Sequence, residues 1–308
     1  MCILGMLVVA IPLKASDVSE ERSKAFAPIH RESSKKIALL NEAQPLTENF
    51  DYVQLLDRET DVLLVGEEHR DSNPAREVNL MIKQLSRHYP NNLYVASEFL
   101  LAEEQPLLDQ FAAGTISYEK LRSQCVLPHR SFVAQVAKRY GVKVIGLDES
   151  RAGYNNYAVW ASSKQGINSR NQFWTKQLVA LKKKNPRAKI ILHAGSTHTQ
   201  LSSAYVRTMP ELLKRAGMRT KTLEFVSEYD PEWKQLRLNI SRDTLFVIPP
   251  ELKENIMADY VIYLASKPFS AQEKKQIQQA QRENAQNNGN IDPDHPLGRV
   301  YIQNGRRE

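Results

Sequence analysis

Short apolar runs that end in a burst of polar residues recur along the chain. In "DVLLVGEEHRD", residues 61–71, the run from Val62 to Val65 stops at a glycine, two glutamates and a histidine. Continuous Val and Leu of this length predict a strand covered on both faces. "NLYVASEF" ends the same way at Ser97 and Glu98, "GVKVIGLDES" at Asp148 and Glu149, and "AKIILHAGSTHTQ" over His193 to His198. Helical patterns lie between these strands. In "SNPAREVNLMIKQLSRH", Val78, Met81, Ile82 and Leu85 fall at i, i+3, i+4 and i+7, with Asn73 as N-cap and Pro74 at the first helical position.

Residues 99–140 read as helical in at least two pieces, broken near Gly114 and Pro128, and a long helix is expected over 168–184. A helix over 210–216 and a strand over 221–226 follow, and "DTLFVIP" and "DYVIYLA" offer two more strands. Strands separated by helices imply right-handed crossovers and a mainly parallel sheet. The expected fold is α/β: a doubly wound, mostly parallel sheet carrying a small helical subdomain at about 99–140. The main domain is expected over 51–268, after an irregular lead-in over 16–50. A Gln- and Asn-rich polar helix and tail are expected over 269–308.

Composition narrows the function classes. With 308 residues and 42% hydrophobic content the chain can bury a large core. The formal charge of +7 raises nucleic-acid binding, but the densest basic run, Lys182 to Lys184, falls at a predicted helix C-terminus, where cations meet the helix dipole and water. No nucleic-acid partner is expected. Residues 3–13 are apolar, shorter than the ~20 residues of a membrane span, and read as the core of an export signal with cleavage after Ala15. No basic residue precedes that run. The expectation is an exported, periplasmic or secreted protein without a membrane span in its mature chain. Cleavage there leaves Cys125 as the only cysteine, which excludes an intramolecular disulfide and a thiolate metal cluster.

The polar strand ends carry the candidate chemistry. In an open parallel sheet the C-terminal ends of the strands share one edge, and ligands bind there. Gly66 is read as permitting a sharp turn off its strand, with Glu67 and His69, two apart, pointing the same way. "HAGSTH" repeats the Gly-to-His spacing at Gly195 and His198. Two imidazoles with carboxylates make an N/O donor set suited to Mn, Co, Fe or Zn, and water on such a metal becomes a nucleophile near neutral pH. Taken singly, each residue has an ordinary role. His69 reads as a turn histidine, and Glu98, Asp148 and Glu149 as helix caps. His193 reads as a packed strand residue.

In order along the chain, "VLLVGEEHRDSNPAREVNLMIKQL", "YVASEF", "EEQPLLDQFAAGTIS" and "KIILHAGSTH" resemble the ChaN-like haem-binding-uptake proteins and their relatives in the Tiki, TraB and erythromycin-esterase superfamily. The resemblance covers about 60–220. It implies a metal set of His69, Glu98 and His198, with Glu67 as ligand or general base. The arginine that esterase-like members carry at the start of the helix before the last motif falls on Arg170. Taken alone, Arg170 reads as an ordinary surface helix residue. The implied functions are a divalent-metal-dependent hydrolase of peptide or ester bonds, or a haem or iron binder without catalysis. The expected ligand is a small molecule, a peptide or haem.

Overall fold

The computed structural model describes residues 43–46, 50–67, 73–125, 131–149, 160–227, 243–248 and 250–264. His69, the apolar segment 3–13 and the tail from 269 lie outside the described residues. The strands are β1 (Ala43–Pro45), β2 (Val62–Glu67), β3 (Leu93–Leu101), β4 (Lys143–Asp148), β5 (Lys189–Gly195), β6 (Thr220–Ser227), β7 (Thr244–Val247) and β8 (Tyr260–Leu264). The helices are α1 (Asn73–His88), α2 (Gln105–Ala113), α3 (Tyr118–Gln124), α4 (Phe132–Arg139), α5 (Lys164–Lys184), the single turn α6 (Ser196–Thr199), α7 (Met209–Arg215) and α8 (Pro250–Ile256). Every strand expected from the apolar runs forms. β1 does too, inside the stretch expected to be irregular, because Ala43 to Pro45 pair antiparallel with Phe246 to Thr244.

The eight strands make one sheet in the order β1-β7-β8-β6-β2-β5-β3-β4. Strands β2 to β6 and β8 run parallel; β7 is reversed beside β8, and β1, antiparallel to β7, finishes that side in the direction of the main set. β5 is inserted between β2 and β3, with β6 on the other flank of β2. The C-terminal ends of β6, β2, β5, β3 and β4 therefore stand side by side, although they are far apart in sequence.

Alternation along each strand divides the core between two faces. On one face Leu63, Val65, Val95, Ile191 and Phe225 pack with Val78, Met81, Ile82 and Leu85 of α1, the four residues of its apolar stripe. Leu108, Phe111, Leu121, Val133 and Ala137 of α2 to α4 join this same cluster, so the expected helical piece shares the core of the sheet. Gly114 ends α2 in the left-handed region at φ 80°, the break that the sequence marks. On the other face Leu64, Ala96, Leu192 and Ala194 meet Trp174 and Leu178 of α5 and Met209 and Leu213 of α7.

Two polar devices finish the sheet. At the N-terminal edge the ammonium of Lys189 donates to the carbonyls of Asp57, Arg58 and Thr60 at 2.8, 2.8 and 2.5 Å, fixing the loop that leads into β2. At the β4 edge the Gln105 side chain donates to the Val144 carbonyl at 2.9 Å and accepts the Gly146 amide at 3.1 Å. No helix among the described residues is long and apolar enough to cross a membrane.

Candidate functional site

Arg170 lies on α5, one turn before Trp174, and its side chain runs under the ends of β3 and β4. Nε donates to Asp148 Oδ1 at 2.8 Å, and Nη2 to Asp148 Oδ2 at 3.1 Å and Glu98 Oε1 at 2.6 Å. Its Cζ stands 4.9 Å from the centroid of the Trp174 ring. Arg170 is buried, with 5% of its surface exposed, so it is not the ordinary helix-surface residue of the alternative reading. Charge-assisted bonds to two carboxylates compensate for the loss of water around the guanidinium. Asp148 is thus a partner of Arg170, and the helix-cap role read from sequence does not describe it.

Glu98 ties this cluster to the next strand. Its Oε2 accepts the Gly195 amide at 2.6 Å, where β5 passes into α6. His198 on α6 completes the set, with Nε2 3.3 Å from Arg170 Nη1 and 3.7 Å from Glu98 Oε1, and Nδ1 2.5 Å from Asn171 Oδ1. The imidazole lies against Trp174, ring centroids 4.5 Å apart. Gly195 and Ser196 take the chain off the strand just before His198, a pattern that by itself points to an open cleft. Instead it is 4% exposed, because α6 folds back over the sheet and presses the ring onto α5.

The structure brings Glu98, Arg170 and His198 together, and places Glu67 elsewhere. β2 extends to Glu67, so alternation puts that side chain with Val65 on the α1 face, whereas Glu98 falls with Ala96 on the α5 face. Glu67 Oε2 lies 2.8 Å from His193 Nε2, both side chains buried. His193 is a packed strand residue, as the apolar run implied, with its ring edge-on to Phe99 at 5.0 Å. Gly195 stands between the two groups: it is the register partner of Glu67 and the amide donor to Glu98. His69 lies outside the described residues.

Gly66 does not serve a turn. It sits inside β2, and a Cβ there would lie 2.3 Å from both Glu224 Oε2 and Thr199 Oγ1. The missing side chain makes room for these two groups, so the motif glycine is a close-approach position. Glu224 and Asn171 were not singled out from the sequence. A lone acid between Leu223 and Phe225 in an apolar strand is the available signal for Glu224; Asn171 has none.

The family resemblance implies a divalent metal, but the donor atoms of the described residues are already engaged. Both oxygens of Glu98 and both ring nitrogens of His198 face Arg170, Gly195 or Asn171. A dication bound through these atoms would have to displace a guanidinium, so the described members of the expected ligand set do not fit one in this arrangement. Among the described residues no group of three or more His, Cys, Asp or Glu is arranged to hold a metal ion. A haem iron fares no better with the described histidines of the site: His193 and His198 are buried and present no imidazole to a macrocycle.

Residues 57–202 match the family model described as haem-binding uptake, Tiki superfamily, ChaN. No curated protein matches the chain. Among solved structures it is similar to a succinoglycan biosynthesis protein at 9% identity, over 75% of this chain and 96% of that one, with a TM-score of 0.53. It is also similar to an erythromycin esterase mutant in its open conformation, at 10% identity over 69% and 92%, TM-score 0.50. The likeness to the ChaN of Campylobacter jejuni that binds haem cofacially is weaker in shape, at 17% identity over 68% and 89%, TM-score 0.38. The chain spans 41–42% of the length of three bacterial toxin chains that it matches. At such identities the first two likenesses show a common fold and nothing of activity. Over residues 57–202, a little under half of its length, the chain is thus similar to the Tiki-superfamily proteins described as haem-binding uptake, ChaN.

Proposed function

We propose that the chain is a hydrolase of ester or amide bonds centred on Glu98, Arg170 and His198. The observation that carries this reading is the burial of Arg170 between two carboxylates and an imidazole at the C-terminal edge of a parallel sheet. Taking such ions out of water costs several kcal/mol each, and apolar residues of equal volume hold a fold together as well. Ionic sets at a ligand-binding edge are therefore supported by function rather than by stability.

Arg170 supplies fixed positive charge where an acyl carbonyl develops negative charge under attack by water. Asp148 and Glu98 hold the guanidinium in place, and Glu98 also fixes the start of α6 through the Gly195 amide. Glu67, the general base that the resemblance implies, is bonded to His193 on the other face of the sheet and takes no part in this step. Water then adds across the acyl bond, and the leaving oxygen or nitrogen departs protonated. An erythromycin esterase on the same fold supports the bond class by analogy. Export belongs to the same reading and rests on the apolar residues 3–13; the mass of the native protein checks it.

The family match favours a second reading, haem binding. One purified preparation tests both. It is offered a panel of esters, lactones and peptides, as wild type and as Arg170→Lys, and is titrated with haemin. Turnover of one bond class, lower by about 10²-fold or more in Arg170→Lys, is expected. A stoichiometric Soret band without turnover on any substrate replaces the hydrolase with a haem carrier.

A further inference from the structure

We propose that Asn171 is a positioning residue that holds His198 as the neutral tautomer protonated on Nδ1, so that the Nε2 lone pair faces Arg170. Asn168 and Asn171, one helical turn apart on α5, both grip the main chain of Arg207. Asn168 Oδ1 accepts the Arg207 amide at 2.7 Å, and Asn171 Nδ2 donates to the Arg207 carbonyl at 2.7 Å. A carbonyl oxygen only accepts, so the end of the Asn171 amide that faces it is the nitrogen.

The oxygen is then the end that faces His198, 2.5 Å from Nδ1. An amide oxygen also only accepts, so Nδ1 carries a hydrogen. Across the ring, Arg170 Nη1 lies 3.3 Å from Nε2, and a guanidinium has donors and no acceptor. A hydrogen on Nε2 would point at another N–H, and the nearby carboxylate oxygen, Glu98 Oε1 at 3.7 Å, is beyond hydrogen-bond distance. Of the three states of an imidazole, only the neutral Nδ1–H form satisfies both neighbours. The contact with Trp174 and the 4% exposure of His198 oppose a ring flip that would exchange the two nitrogens.

In this state His198 neither takes a proton from water nor binds a cation. It is the acceptor that seats Nη1 of Arg170, while Asp148 and Glu98 seat Nε and Nη2. The inference concerns the arrangement alone and holds whichever bond, if any, the protein cleaves.

Long-range ¹H–¹⁵N correlation spectra of the full ¹⁵N-labelled chain test it, with His198 assigned from the signals lost in His198→Gln. In the wild type Nδ1 is expected in the protonated range and Nε2 in the unprotonated range, and added Zn²⁺ is expected to leave both in place. In Asn171→Leu, close in size and without an acceptor, the two shifts are expected to converge as both tautomers populate. Protonated Nε2 in the wild type, or a shift of Nε2 with Zn²⁺, overturns the proposal. So does an Asn171→Leu spectrum identical to that of the wild type. If Asn171→Leu does not fold, the wild-type tautomer and its response to Zn²⁺ still decide.

Discussion

Glu67 on β2 and His193 on β5 meet at 2.8 Å across the sheet, both buried, on the face away from Arg170. His193→Phe keeps an aromatic ring beside Phe99 and removes the donor to Glu67. A loss of about 1–3 kcal/mol is expected, the cost of taking a partner from a buried polar group. Adding Glu67→Gln to that background is expected to recover part of the loss, because a neutral amide is cheaper to bury than a carboxylate. Urea midpoints at constant slope measure both. A His193→Phe protein as stable as the wild type would show that the pair adds nothing to stability.

Arg170→Met leaves Glu98 and Asp148 facing each other without the guanidinium between them. A destabilisation of about 3–5 kcal/mol is expected, as for removing one partner of a buried ionic set. Combining it with Glu98→Gln and Asp148→Asn is expected to recover most of it. Dialysis of the wild type against EDTA is expected to leave its thermal midpoint unchanged. A fall in that midpoint would reveal a bound metal that stabilises the native state.

Acid sensitivity is expected from Asp61, at the opposite edge of the sheet. Burial pushes its carboxyl up, but the Arg219 amide at 3.0 Å, Lys182 at 2.9 Å and the Arg219 side chain at 3.4 Å together hold it below its ordinary value of 3.8. A carboxyl that is more acidic folded than unfolded stabilises the protein above the unfolded value, and that contribution fades as pH falls towards the folded one. Asp61→Asn should therefore lower stability at pH 7 and flatten its decline below about pH 4. Parallel acid limbs in wild type and variant would assign the decline to other carboxyls.

Cys125 is expected to be inert in the native protein. Burial first, and the Glu104 carboxylate second, push its thiol up to about 12. At pH 8 the thiolate fraction is then on the order of 10⁻⁴, and the thiolate is the species that reacts. A disulfide reagent should modify Cys125 only in denaturant. Stoichiometric labelling of Cys125 within minutes at pH 8 in the native state would contradict its burial.

The fold was legible because burial on both faces writes itself as uninterrupted Val, Ile and Leu, and because the α1 stripe follows the helical period. The strand ends that carry Glu98, Asp148 and His198 were legible for the same reason, since polarity there interrupts an apolar run. Which face each residue occupies was not. The apolar run of β2 stops at Val65, but the strand continues to Glu67 by pairing with Gly195, and those two extra residues decide the face. The burial of Arg170 was hidden as well. Its neighbours Asn168, Ser169, Asn171 and Gln172 are polar, and they read as an exposed face until Arg207 and His198 are seen to bind two of them.

Gly66→Ala tests the close approach at the centre of the motif. The added methyl needs the space now held by the Glu224 carboxylate and the Thr199 hydroxyl, and a loss of about 1–3 kcal/mol is expected, as for overpacking a filled core. Glu224→Ala should reduce that loss, giving a coupling of at least ~0.5 kcal/mol in a double-mutant cycle. Simple additivity of the two would mean that the strands spread to admit the methyl.

A sheet grows by offering its last strand to the next one, and at β4 a side chain already occupies part of that flank. Gln105 presents the Val144 carbonyl and the Gly146 amide with the donor and acceptor that a ninth strand would bring, and does so from within the same chain. A peptide approaching this flank meets two main-chain groups that are already bonded. Addition of a foreign strand, the first step of edge-to-edge polymerisation, would have to evict an amide before gaining a bond.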